Sequence, residues 1–255
     1  MSLLQGLLAD LDAESRALDD VVAGLDDTGW ATPTPAAGWT VAHQVAHLAW
    51  TDDVAALAAT DPTAFRALPD TDGLVDAEAA AGAAVPPAEL LERWRAGRTA
   101  LAAALAAVPA GQKLPWYGPP MSAASMATAR LMETWAHGVD VTDALGLPVS
   151  ATDRLRAVAH LGVVTRGFAH AQHGLPAPTG DVRVELVAPS GAVWSWGEES
   201  AAERVTGPAL DFCLRVTQRR PLAALDLATT GAAAARWMAV AQAFAGEPGA
   251  GSEAR

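Results

Sequence analysis

Through its first 145 residues the chain keeps returning to apolar residues spaced three and four apart, and after Gly180 it switches to alternation. One element cannot serve both periods, because side chains share a helix face every three or four positions and a strand face every second. A helical first half and a smaller mixed second half follow. In the first half Leu4, Leu7, Leu8, Leu11, Leu18, Val21, Val22 and Leu25 mark an amphipathic helix over 2–25. Gly and Pro crowd DDTGWATPTPAAGW, and Thr40 then suits the N-cap of a second helix to about Ala59. The connection from Thr60 to Val85 has little periodicity and room for one short helical piece. Pro86 and Pro87 open a third helix ending near Val108, and a fourth spans about 122–145 until Gly146 and Pro148 stop it. Four long helices with polar outer faces predict a four-helix bundle, a frame that builds metal sites from facing side chains.

The second half begins with a fifth helix, RLRAVAHLGVVTRGFAHAQ. Alternation over Val182–Val187 and Ala192–Trp196, with Ser190-Gly191 between, predicts a β-hairpin. A helix over Gly207–Gln218, a short strand over Ala223–Ala228 and a final helix over Ala232–Ala245 complete a small α+β domain. The expected division is 1–150, 151–247 and a disordered tail over 248–255.

Composition narrows the chemistry. A net charge of −12 sets the chain against the phosphates of nucleic acid and anionic membrane surfaces. One cysteine, Cys213, excludes an internal disulfide and a Cys-rich zinc knuckle, and leaves histidine and carboxylate as metal ligands. No apolar run is long enough to span a bilayer, and MSLLQGLLADLDAE lacks the basic start of a secretory signal, so a cytoplasmic protein is expected. There is no Gly-rich phosphate loop and no Gly-x-Ser-x-Gly elbow.

The stretch ARLMETWAHGVD places Glu133 and His137 one turn apart on one helix face. Two ligands make a poor site, since catalytic zinc takes three protein ligands and keeps a position for chemistry. GWTVAHQVAHLAW supplies candidates in His43 and His47, again four apart. Asp140 suits a hydrogen bond to a ligand imidazole or a solvated helix face equally well. Arg130 suits orientation of the Glu133 carboxylate, an anionic substrate, or a surface ion pair. Trp135 falls on the opposite side of the helix and reads as core. Trp116 and Tyr117, in a Gly/Pro-rich loop just ahead of the metal-bearing helix, suit a pocket mouth or packing. Cys213, between Phe212 and Leu214, reads as buried and inert.

GWTVAHQVAHLAW followed by RLMETWAHGVDVTDALG resembles the DinB-like metalloprotein superfamily, in particular its actinobacterial mycothiol-dependent maleylpyruvate isomerase branch. The resemblance implies an N-terminal metal-binding helical bundle with a smaller C-terminal α+β domain. It implies His47, Glu133 and His137 as ligands, usually of zinc, with mycothiol as the thiol co-substrate. His43 stands where relatives carry a polar residue that is not a ligand, and so implies a place beside the ligands or at the surface. A C-terminal arginine is implied to reach the active site; TQRRP offers Arg220 as the match and Arg219 as the alternative, without the family's glycine. The expected activity is isomerisation of a small unsaturated acid or transfer of the thiol to an electrophile, by a monomer or homodimer. The competing expectations are a thiol-free metal-dependent hydrolase or lyase, and a metal-binding protein whose C-terminal domain takes an apolar ligand.

Overall fold

The computed structural model describes residues 1–69 and 73–246; the tail expected to be disordered, 248–255, lies outside them. The chain divides into two compact units, Met1–Val149 and Ser150–Arg255. The first is helical: α1 (Leu3–Val22), α2 (Asp27–Trp30), α3 (Val41–Thr60), α4 (Pro62–Arg66), α5 (Leu74–Ala83), α6 (Pro87–Ala107) and α7 (Ala123–Ala144). A short antiparallel ribbon of β1 (Lys113–Leu114) and β2 (Met121–Ser122) precedes α7. Local chemistry starts the long helices. Ser2 and Gln5 close a capping box on α1, Pro87 opens α6, and Ser122 Oγ accepts from the Ser125 N–H at 3.1 Å on α7.

The helix at the centre is α3, which packs against α4, α5, α6 and α7. Its Val41, Val45 and Leu48 join Leu18 and Val22 of α1, Leu90 and Trp94 of α6 and Val141 of α7 in one core cluster. A second cluster gathers Val54, Ala58 and Phe65 with the half-buried Trp50, Trp116 and Tyr117. A helix covered on most sides must bury its polar residues too, and Gln44, His47, Thr51 and Asp52 are all buried.

The connection after α3 holds two helices where one short piece was expected. Asp61 Oδ1 caps α4 through the N–H groups of Thr63 and Ala64 at 3.1 and 2.9 Å. The other, α5, has no apolar stripe to betray it. Its alanines favour helix on intrinsic propensity, and it lies close against α3, where a Cβ on Gly82 would stand 2.7 Å from that of Ala46.

The second unit contains α8 (Leu155–Val164), α9 (Arg166–Gln172), β3 (Val182–Val187), β4 (Val193–Trp196), β5 (Glu203–Pro208), α10 (Ala209–Val216), a 3-10 turn (Leu222–Ala224), β6 (Ala228–Thr230) and α11 (Ala232–Val240). The sheet order is β4-β3-β5-β6, with β3 and β5 parallel and the outer pairs antiparallel. Val182, Val184 and Leu186 of β3 are buried, and α10 packs on both β3 and β5.

Several expectations need correction here. The single fifth helix is two, because Thr165 Oγ1 bonds back to the carbonyls of Leu161 and Gly162 at the break. The helix expected over Gly207–Gln218 spans Ala209–Val216, because Gly207 and Pro208 end a strand, β5, for which the sequence carries no local signal and which its pairing with β3 defines. The strand expected at Ala223–Ala228 is a 3-10 turn, and pairing begins only at Ala228. The last helix stops at Val240, not Ala245: the buried Arg215 donates from Nε and Nη2 to the carbonyls of Met238 and Ala239, both at 2.6 Å, and satisfies that helix end. No helix among the described residues is long and apolar enough to cross a membrane.

The contact at Gly82 gives a direct test of the α3–α5 packing. Gly82→Ala gains helix propensity, yet its methyl meets Ala46 at a distance that real side chains do not tolerate. A net destabilisation of about 1–3 kcal/mol by urea unfolding is expected.

Candidate metal centre

Where α3 crosses α7, three side chains converge. Glu133 Oε2 lies 3.3 Å from His47 Nε2 and 3.3 Å from His137 Nε2. All three ligand atoms fall within 4.8 Å of one another, the one such cluster of His, Cys, Asp and Glu among the described residues. Tetrahedral coordination at about 2.0–2.1 Å separates neighbouring donors by about 3.3 Å. The two imidazole–carboxylate spacings therefore match the edges of a tetrahedral site, and the donor set fits a divalent cation.

The surroundings tune each donor. His137 Nδ1 faces Gln44 Oε1 at 2.5 Å, and Gln44 Nε2 in turn donates to Thr34 Oγ1 at 2.8 Å. An amide oxygen can only accept, so His137 donates from Nδ1 to Gln44, and that bond holds the ring with Nε2 turned toward Glu133. His47 is held differently. Its Nδ1 is buried without a hydrogen-bond partner, and its ring packs against Trp39 and Trp50, with centroids 5.4 and 6.2 Å away. Burial, helped by the neighbouring His137 and only partly opposed by Glu133, pushes the His47 imidazole down to about 4. Burial works against the Glu133 carboxylate, but its hydrogen bonds to His137 and His47 prevail and hold it well below the usual carboxylate range. A neutral imidazole and an ionised carboxylate are the forms that bind metal.

The other candidate residues are placed unequally around this cluster. Arg130 is not a surface residue: it is 2% exposed, donates from Nε to Asp52 Oδ1 at 2.9 Å and brings Nη1 to 4.0 Å from Glu133 Oε2. Asp140 is buried, which removes the solvated alternative, but the acceptor facing His137 Nδ1 is Gln44. Half-buried His43 closes the start of α3, its Nδ1 accepting from the Thr40 N–H at 3.3 Å and lying 2.9 Å from Thr40 Oγ1. That is the role Glu or Gln plays in a capping box. Trp116 and Tyr117 pack on Phe65, with ring centroids 5.8 and 5.2 Å away. Arg219 and Arg220 belong to the second unit, where their guanidinium groups donate to the carbonyls of Thr217 and Arg219 at 2.7 and 2.8 Å. Cys213 is buried, donates weakly to the Leu155 carbonyl at 3.5 Å, and has its thiol pushed up by burial.

Sequence reasoning passed over three residues of this neighbourhood. Gln44 and Asp52 lie three before and five after His47 and look like ordinary helix polar residues until α7 is in place. Trp39 stacks on His137 with 17° between ring planes at 6.0 Å, while its indole N–H donates to Asp76 Oδ1 at 2.9 Å. The available signal was GW directly before a helix start.

Against this geometry, a family model described as the mycothiol maleylpyruvate isomerase N-terminal domain matches residues 11–142. The chain belongs to that family. A second model, described as wyosine base formation, matches residues 178–230. Two uncharacterised proteins of Mycobacterium tuberculosis, from strains CDC 1551 / Oshkosh and ATCC 25618 / H37Rv, are each 57% identical over 249 residues, covering 96% of this chain and 97% of the relative. Among solved structures, the mycothiol-dependent maleylpyruvate isomerase matches with a TM-score of 0.60 at 18% identity, over 85% of this chain and 89% of that one. A histidine-to-alanine variant of that isomerase matches over the same shares with a TM-score of 0.59 at 17% identity. At that identity the likeness is one of fold.

Two outcomes test the site electrostatics. Unfolded His47 takes up a proton below its ordinary 6.5, while the folded protein resists until about 4. Between those values the unfolded state binds more protons, so stability falls as pH falls. Metal-free protein should lose on the order of 2–3 kcal/mol from this group on acidification from pH 6.5 to 4, and His47→Gln should flatten the curve in urea titrations. Separately, Gln44→Leu removes the acceptor that fixes the His137 tautomer. Zinc affinity measured by competition with a chelating dye should drop about 10–100-fold.

Proposed function

We propose that the first unit carries a zinc-dependent centre that uses a low-molecular-weight thiol of the mycothiol type. It either isomerises a small cis-unsaturated acid or transfers the thiol to an electrophile. The three-donor cluster of His47, Glu133 and His137 carries the proposal, because three protein donors leave a position for an exogenous group. Family membership supports the thiol and the isomerase-like reaction.

A zinc ion held there would lower the pKa of a thiol and keep the thiolate available as nucleophile. The chain's own residues prepare the centre. Burial keeps His47 neutral, Gln44 orients the His137 ring so that Nε2 faces Glu133, and the two imidazoles keep Glu133 ionised. Trp39 covers one side of both imidazole rings. In the isomerisation, the thiolate sulfur bonds to one alkene carbon and the π pair moves into the conjugated carbonyl. The former double bond, now single, rotates; the pair then returns, the C–S bond breaks and the thiolate leaves. In S-transfer the C–S bond stays, and the leaving group of the electrophile departs with its electron pair. The small-molecule substrate and the thiol are the partners this chemistry needs.

Elemental analysis of protein purified without chelator should find about one zinc per chain, and Glu133→Ala should lose most of it while keeping its helicity. Turnover of a cis-unsaturated acid such as maleylpyruvate should need added thiol and vanish in that variant. Full activity in Glu133→Ala would overturn the proposal. Turnover without any thiol would move it to a metal-activated water and a hydrolase or lyase reaction.

A further inference from the structure

Asp52 lies outside the three-donor cluster, yet it is a carboxylate buried at the same helix crossing, 2% exposed, with Arg130 as its ion-pair partner. As a stability device the pair is poor. Taking both ions out of water costs more than their attraction usually returns, and an apolar pair of the same volume commonly serves as well or better. Arg130 Nη2 adds to the cost, being buried without an acceptor. The position of the pair suggests what offsets it. Asp52 is on α3, five residues past His47, and Arg130 is on α7, three residues before Glu133. The guanidinium is therefore braced from α3 through Nε at 2.9 Å, while Nη1 faces Glu133 Oε2 at 4.0 Å. That oxygen is also the one both imidazoles approach.

We propose that Asp52 and Arg130 are positioning residues of the metal centre: Asp52 fixes the guanidinium plane across the helix crossing, and the charge of Arg130 draws the Glu133 carboxylate to the place where it meets both imidazoles. The proposal rests on the metal-centre function given above. Charge explains why two residues are needed. A lone guanidinium beside Glu133 would set a full positive charge against the incoming cation, whereas Asp52 cancels that charge and leaves the orientation. Outer partners of this kind orient ligands and tune affinity in metal sites generally.

The test compares wild type with Asp52→Asn, Arg130→Met and the double variant Asp52→Leu/Arg130→Met, using Zn(II) competition titrations and the visible d–d absorption of the Co(II)-loaded proteins. Each single change should raise the zinc dissociation constant about 10–100-fold and alter the cobalt band, which reports ligand geometry. Because Asp52 acts through Arg130, the double variant should bind zinc no worse than Arg130→Met, and with both charges removed it should unfold at a higher temperature than either single variant. The double variant also stands in for a single one too unstable to purify. A wild-type affinity and cobalt band in Arg130→Met or in the double variant, whatever the melting temperature does, would overturn the positioning role and leave the metal centre standing. A wild-type protein that binds neither metal would remove the centre and the positioning role together.

Discussion

The first unit is organised around one carboxylate set between two imidazoles. Glu133 approaches His47 and His137 with the same oxygen, at 3.3 Å each, beside a central helix whose own polar residues Gln44, His47 and Asp52 are buried. Polar groups in such a place are costly unless paired. The seam between α3 and α7 is accordingly lined with groups that satisfy one another: Gln44 with His137, Asp52 with Arg130, Arg130 beside Glu133. Apolar clusters on α3 close over both ends of that seam, with Val41, Val45 and Leu48 toward one and Val54 and Ala58 toward the other.

The two imidazoles are held by different physics. A hydrogen bond from Nδ1 fixes the plane and tautomer of His137, and through Gln44 and Thr34 it ties that ring to the loop before α3. Nδ1 of His47 has no such bond, and the indole rings of Trp39 and Trp50 pack against the imidazole. Trp39 serves both rings. Its backbone carbonyl accepts from the Thr34 N–H and Oγ1, at 2.8 and 3.0 Å, and its indole is tied to Asp76 on α5. The loop over 31–40, Gly/Pro-rich and without helical period, thus supports the site as closely as the helices do.

Much of the first unit was legible in the sequence because its long helices carry their own signals. Thr40, Pro87 and Ser122 start helices where local chemistry says they should, and Gly146, at φ +66, ends the last. The second unit was harder to read because its elements depend on distant partners. Strand β5 contains Gly207 and Pro208 and pairs in parallel with β3 across a gap in sequence. The end of α11 is set by an arginine on α10, 23 residues away at its nearest contact. No local pattern announces either.

By itself the sequence determined that a helical unit precedes a mixed one, that Glu133 and His137 share a helix face, and that a metal site in this chain would draw on histidine and carboxylate rather than on a cysteine cluster. These follow from periodicity and composition, which act over a few residues or over the chain as a whole. Only the tertiary structure decided which polar residues accompany His47, Glu133 and His137. Gln44 at His137 Nδ1 and Arg130 buried against Asp52 are outcomes of one helix crossing, whereas His43 is taken up locally by the cap at Thr40. That crossing brings together residues 78 and 93 positions apart, a separation at which spacing along the chain carries no information.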